Sequence, residues 1–265
     1  MQHLFTRWES VKERLRKGKL FIFLDYDGTL SPIAERPQEA RLPREARKLL
    51  EALSGMPGCK VAVVSGRALA DLKQKVGLEG VIYVGNHGLE LEGPKIKFRE
   101  FVSKGYKQIL QEIKHKLQRS LSPFAGVLIE DKGLSLSVHY RCSAKQDTPR
   151  IKTVFHETVI TNLVADKIHI KEGKKVLEIR PPLKWDKGKA VLWLLARQQF
   201  GSRETRVYPL YVGDDVTDED AFKALRNRGL TVFVGKPLSS HARYYLRDTG
   251  EVLELLKRIA NRGEV

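Results

Sequence analysis

The sequence predicts an α/β protein: a doubly wound, mostly parallel-sheet core of Rossmann-like type with an inserted α+β cap domain. Three observations carry this. Apolar runs of strand length, at 21–24, 60–64, 81–84, 208–212 and 231–234, alternate with helical segments, the texture of strands covered on both faces. Most of these runs end in polar turns, where open α/β sheets place their ligands. Between 99 and 180 the pattern changes to short strand-like segments and two long helices, a small α+β module in itself. The core is therefore expected from residues 1–98 and 181–265, and the cap from 99–180.

Leu4, Trp8, Val11 and Leu15 recur at helical spacing with Arg7, Lys12, Arg14 and Arg16 between them, predicting an amphipathic N-terminal helix. The strand from Phe21 to Leu24 ends in Asp25-Tyr26-Asp27-Gly28-Thr29. Two carboxylates this close repel each other unless a cation or a shared proton relieves them, and Gly28 lets the chain turn sharply. One nucleophilic carboxylate, one proton-transfer carboxylate and a hard cation such as Mg2+ suit this pattern. A Pro-containing loop over 31–43 leads to a helix at 44–53. The strand at 60–64 ends in Ser65-Gly66-Arg67, a hydroxyl and open backbone amides ahead of a helix at 68–76, suited to a phosphate oxygen. The strand at 81–84 ends in a further polar loop, Gly85-Asn86-His87-Gly88.

In the insert, Tyr106, Ile109, Ile113 and Leu117 mark a helix running to Arg119, and a second helix is expected at 146–162. Strands are expected at 126–130, 134–140, 167–170 and 174–179, forming an antiparallel sheet. Residues 134–140 alternate strictly, predicting one buried and one polar face. Arg180-Pro181-Pro182 ends the module, because successive prolines break regular pairing. Asp186 then reads as the N-cap of a helix that carries Lys187 at its start, a fixed positive charge within reach of a phosphate. The strand at 208–212 runs into Gly213-Asp214-Asp215-Val216-Thr217-Asp218-Glu219-Asp220. Thr217 with Asp220 reads as a capping box, which accounts in part for Asp218, Glu219 and Asp220. Asp214 and Asp215 precede the cap and are the better metal candidates. A strand at 231–234 and a helix at 251–260 close the chain.

The 265 residues carry 48 Lys and Arg against 32 Asp and Glu, a formal charge of +16. The excess is spread over core and insert alike, which favours attraction of anionic substrates, or simple solubility, over a nucleic-acid patch. Cys59 and Cys142 alone demand no disulfide framework. No apolar run approaches the roughly 20 residues needed to span a bilayer, and charges interrupt any signal-peptide core. A cytoplasmic protein with no membrane or nucleic-acid partner is expected; no partner protein is indicated.

The ordered set Asp25/Asp27, Ser65, Lys187 and Asp214/Asp215/Asp218 resembles that of the haloacid-dehalogenase-like phosphotransferases. The resemblance implies that Asp25 attacks phosphorus and becomes an aspartyl-phosphate, and that Asp27 protonates the leaving alcohol and then activates water. It implies phosphate binding by Ser65, Gly66 and Lys187. It also implies Mg2+ bound by Asp25, the backbone carbonyl of Asp27 and Asp214, with Asp215 and Asp218 supporting. The gap over 28–64 is short and that over 66–186 long, so the insert falls where capped sugar phosphatases of this superfamily carry theirs. The runs 128–136 and 138–141, Leu177-Glu178-Ile179-Arg180-Pro181, Val64-Ser65-Gly66-Arg67 and Gly85-Asn86-His87-Gly88-Leu89-Glu90 look like the trehalose-6-phosphate phosphatase family. That resemblance implies sugar contacts from Glu130, Lys132, Arg141 and Glu178, with Arg67, Asn86 and His87 near the boundary of core and cap. The expected activity is Mg2+-dependent hydrolysis of trehalose 6-phosphate. One alternative is another sugar phosphate, such as mannosyl-3-phosphoglycerate or glucosylglycerol phosphate. Another is a non-catalytic sugar-phosphate sensor, against which the intact Asp25/Asp27/Lys187/Asp214 set argues.

Overall fold

A two-residue edge strand, β1 (Gln2–His3), leads through a short 3-10 turn into helix α1 (Trp8–Arg16) and the central strand β2 (Lys19–Asp25). These and the elements below come from a computed structural model that describes residues 1–16, 18–199, 207–236 and 239–261. Helix α2 (Arg44–Gly55), β3 (Cys59–Val64), α3 (Leu69–Val76) and β4 (Ile82–Gly85) follow, then a hairpin of β5 (Glu90–Gly93) and β6 (Ile96–Arg99). The next segment holds α4 (Lys104–Ser120), β7 (Leu128–Asp131), β8 (Leu136–His139), α5 (Thr148–Val164), β9 (His169–Gly173) and β10 (Val176–Arg180). The chain closes with α6 (Lys187–Gln199), β11 (Val207–Gly213), α7 (Glu219–Leu225), β12 (Leu230–Val234), β13 (Tyr244–Leu246) and α8 (Thr249–Ala260).

Two compact units result. The first comprises Met1–Ala34, Ala40–Arg99 and Trp185–Val265; the second comprises Glu35–Glu39 and Glu100–Lys184. The observed divisions differ slightly from the expected ones: Arg99, level with Glu90 in the β5–β6 pairing, falls in the first unit, while 35–39 and 181–184 fall in the second. Phe98 stacks on Trp185, with ring centroids 5.5 Å apart, and also meets Trp193, all within the first unit. The Glu35–Glu39 segment groups with the second unit, where the Cys142 thiol donates to the Glu35 carbonyl at 3.7 Å.

The first unit is built on a nine-stranded sheet in the order β1-β13-β12-β11-β2-β3-β4-β5-β6. It is parallel except at the hairpin, where β4-β5 and β5-β6 are antiparallel. Side chains alternate across β2 as the pleat requires. Leu20, Ile22 and Leu24 pack with α1, α2, α3 and α8 on one face, while Phe21 and Phe23 pack with α6 and α7 on the other. Helices on both faces make the doubly wound architecture. Its hairpin, β1 and β13 do not show in the apolar pattern. Glu90, Glu92, Lys97 and Arg99 interrupt the hairpin, where Leu91 and Ile96 are buried in the core and Phe98 packs against it.

The second unit has a four-stranded antiparallel sheet in the order β7-β8-β10-β9. Helices α4 and α5 cover one face through Tyr106, Leu110, Ile113, Leu117, Ile151, Phe155 and Val159. The polar stripe of β8 is not a wet surface: Ser135 and Ser137 are as buried as Leu136 and Val138.

Candidate active site

Sheet register gathers the expected residues of the first unit. Asp25, the last residue of β2, lies level with Val64 of β3, so Ser65 is one step beyond. On the other side Leu24 is level with Val212, so Gly213 neighbours Asp25 and Asp214 follows. Lys187, at the start of α6, reaches into this row. Asp186 caps that helix, its carboxylate accepting from the Lys189 amide at 2.8 Å, as the sequence suggests. The buried Lys187 ammonium donates to Asp25 Oδ1 at 2.6 Å and to Asp218 Oδ1 at 2.8 Å.

Asp218 is the organising acid of the β11–α7 loop. Its Oδ1 also accepts from the Tyr211 hydroxyl at 2.7 Å, and its Oδ2 from the backbone amides of Asp214 and Asp215, both at 3.0 Å. Helix α7 begins at Glu219 with Asp218, rather than the expected Thr217, at its N-cap position, and the Asp218 side chain makes no cap bond to it. It turns back toward Lys187 and the loop instead. Gly213 permits this, since a Cβ there would lie 2.3 Å from the Asp218 carboxyl carbon. Asp215 lies beyond this cluster and is only half-buried.

Asp25, Asp214 and Asp218 offer oxygens within 4.8 Å of one another. Three carboxylates share one buried place with a single ammonium, so acidic groups outnumber basic ones there. Burial raises the Asp25 pKa well above the ordinary carboxylate range; Lys187 opposes this, and Asp218 and Asp214 add to it. Burial disfavours the Lys187 charge, but Asp218 and Asp25 outweigh it and hold the ammonium above its usual range. A hard divalent cation would relieve this excess, and an all-oxygen donor set is what Mg2+ prefers. Gly28 makes room for the Asp214 carboxylate: its φ is +87°, and a Cβ would stand 2.3 Å from Asp214 Oδ2.

Asp27 is held differently. Arg67 grips it with a two-pronged contact, Nε to Oδ2 and Nη2 to Oδ1 at 2.7 Å each, and places Nη1 on Asp71 Oδ2 at 2.7 Å. Arg67 thus binds the second acid of the turn rather than standing open. The Ser65 hydroxyl accepts from the Arg67 amide at 3.2 Å. Asn86 and His87, both left-handed at φ 48° and 56°, brace this loop. Their amides donate to the carbonyls of Arg67 and Ser65 at 2.7 and 3.0 Å. The His87 ring occupies the space a Gly66 side chain would need, its Nε2 only 2.3 Å from such a Cβ. Backbone in this region costs about 1–3 kcal/mol per residue, so the loop is held in place by these bonds.

In the second unit, Glu178 is buried and heavily bonded. Its Oε1 accepts from Lys132 Nζ at 2.8 Å, Ser135 at 3.2 Å and Ser137 at 3.4 Å, and its Oε2 from Arg180 Nε at 2.7 Å. Glu130 lies opposite Ser137, which lies opposite Glu178, so both acids share a sheet face. Glu130 pairs with His139 Nε2 at 2.8 Å. Arg141 is apart from this row: it is exposed, and its Nη2 donates to the Lys174 carbonyl at 2.9 Å. Sequence reading left out Tyr211, Asp71, His139 and Arg180. Only His139 and Arg180 carried a signal, one by alternation with Ser135 and Ser137, the other by following Glu178 on the same face.

A carboxylate nucleophile candidate at a central strand end, beside a buried lysine and an acidic loop from the next strand, defines the class. The fold is haloacid-dehalogenase-like, and the acids and lysine gathered at it are those expected of a phosphohydrolase of that class. More narrowly, it belongs to the trehalose-phosphatase family, whose sequence model matches residues 23–248. It is 36% identical to probable trehalose-phosphate phosphatase D of Arabidopsis thaliana, over 96% of this chain and 70% of that protein. It is also 36% identical to trehalose 6-phosphate phosphatase RA3 of Zea mays, over 93% and 71%. Its fold is similar to the C-terminal domain of C. albicans trehalose-6-phosphate phosphatase, with a TM-score of 0.85, 23% identity and full coverage of both chains. No helix among the described residues is long and apolar enough to cross a membrane.

Proposed function

We propose that the chain is a phosphoric monoester hydrolase that converts trehalose 6-phosphate to trehalose and phosphate, a step of trehalose biosynthesis. The observation that carries the chemistry is Lys187 bridging Asp25 and Asp218 beside Asp214. Asp25 attacks phosphorus, forming a carboxylate–phosphorus bond as the bond to the sugar oxygen breaks. Asp27 gives a proton to that leaving oxygen, then takes one from the water that cleaves the aspartyl-phosphate. For both transfers Asp27 must loosen one prong of its Arg67 contact. Ser65 and the Gly66 amide orient the phosphoryl oxygens, and Lys187 adds positive charge. Asp25, the Asp27 carbonyl and Asp214 would hold Mg2+, with Asp215 and Asp218 behind them. Bound there, the cation would neutralise charge on the transferring phosphoryl group. Glu130, Lys132, Arg141 and Glu178 are read as sugar-selecting groups of the second unit, since carboxylates and cations bond sugar hydroxyls well. Arg67, Asn86 and His87 shape the loop that presents Ser65.

Phosphate release from a panel tests this. The panel is trehalose 6-phosphate, glucose 6-phosphate, mannosyl-3-phosphoglycerate, glucosylglycerol phosphate and p-nitrophenyl phosphate, with Mg2+ or EDTA. Trehalose 6-phosphate should be preferred, EDTA should stop turnover, and Asp25→Asn should be inactive yet folded. Another preferred sugar phosphate would overturn the substrate; activity in Asp25→Asn would move the nucleophile elsewhere.

A further inference from the structure

A second concentration of positive charge lies at the outer edge of the first unit's sheet. A cavity of about 380 Å³ is lined there by Gln2, Arg7, Ser10, Arg14, Arg243 and Tyr244 among others. Arg7, Ser10 and Arg14 sit three and four residues apart, on one side of the turn leading into α1 and of α1 itself. Arg243 arrives from the opposite end of the sequence, just before β13. Its backbone amide is fixed to Thr231, at 3.1 Å from the carbonyl and 2.9 Å from the hydroxyl. Parallel pairing of β1 with β13, Gln2 level with Tyr244, brings the two segments together.

The lining contains no carboxylate among the described residues. Glu9 and Glu13 lie on α1 but not on its side toward the cavity. Arg7 donates to Gln2 Oε1 at 3.0 Å, and Arg243 lies over the Tyr244 ring at 5.8 Å. None of the three guanidinium groups is in an ion pair among the described residues. Three exposed cations bordering one concavity repel one another, and an anion with several oxygens relieves that repulsion through charged, forked hydrogen bonds. The cavity is within the size range of small-ligand sites. β13 lies three strands from β2, roughly 14 Å away at ordinary strand spacing. The cavity is therefore separate from Asp25.

We propose that this cavity is a second binding site, for a small molecule carrying two or more phosphoryl charges. Calorimetric titration of the full chain with Mg2+, using methylenebisphosphonate as a probe that resists hydrolysis, tests it. A saturable event should weaken by about tenfold in Arg14→Ser and again in Arg243→Ser, the loss of one charged hydrogen bond each. The same event should persist in Ser65→Ala, and in Lys116→Ser, an exposed cation of α4 in the other unit. The variants' melting curves check that each is folded. Three results would overturn the site. One is an event lost in Ser65→Ala but kept in the arginine variants, which places binding at Asp25. The second is equal weakening by Lys116→Ser, which marks general charge attraction. The third is no saturable binding.

Discussion

Asp25 and Asp27 stand two residues apart and live in different surroundings. Asp25 is buried against Lys187, with Asp214 and Asp218 nearby. Asp27 lies outside that ring, gripped by Arg67. Neighbouring carboxylates with separate environments can take separate roles, one attacking and one moving protons. Asp27→Asn keeps the shape and removes the proton transfer. It should lower kcat for trehalose 6-phosphate by about 10²–10⁴-fold, the usual worth of general acid–base catalysis. The loss should be much smaller for aspartyl-phosphate formation from p-nitrophenyl phosphate, whose leaving group departs without a proton. Burst kinetics on both substrates measure this, and equal losses in the first step would remove Asp27 from the acid role. That these acids and Lys187 form one candidate site was legible from their crowding at strand and helix ends. Their bonding partners were not. Lys187 meets Asp25 across 162 residues of sequence, and sheet register and the α6 cap bring them together. Tyr211 shows the same limit: in sequence it is one more apolar strand residue, and in the fold its hydroxyl fixes Asp218.

At the scale of elements, the apolar runs of β2, β3, β4, β11 and β12 were readable because both faces of each are covered. The β5–β6 hairpin was not, since an edge with alternating charges resembles a loop. Around β8 the alternation reads as a polar face, and the structure adds that this face is buried. There Ser135 and Ser137 bond Glu178, whose other oxygen takes Arg180. Four donors on one buried carboxylate leave it fixed, whereas Glu130 on the same face pairs with the titratable ring of His139. Glu130 is an acid of that face read as a contact to a sugar hydroxyl. Glu130→Ala should raise KM for trehalose 6-phosphate by about tenfold or more, the loss of a charged hydrogen bond. It should leave kcat/KM for p-nitrophenyl phosphate nearly unchanged. Paired Michaelis–Menten curves decide, and proportional losses on both substrates would assign Glu130 a structural part.

For the whole molecule, the arrangement of cores matters more than their size. The first unit buries two clusters, one on each face of its sheet. The second buries its own, made of residues of that unit alone. Every residue assigned to phosphoryl transfer lies in the first unit, and every residue read as sugar-selecting lies in the second. Separate cores can melt separately, so the two functions should be separable by a mutation far from either site. Phe155 is fully buried in the second unit's core. Phe155→Ala should cost that unit about 3–5 kcal/mol, much of the stability of a domain this size. On warming, the variant should lose trehalose 6-phosphate turnover at a temperature where p-nitrophenyl phosphate turnover continues. The matching Phe23→Ala change, in the first unit, should end both activities together. Activity of each variant on both substrates across a temperature series reads the difference. Simultaneous loss in Phe155→Ala would mean that the first unit does not stand without the second, and the division of labour between them would have to be redrawn.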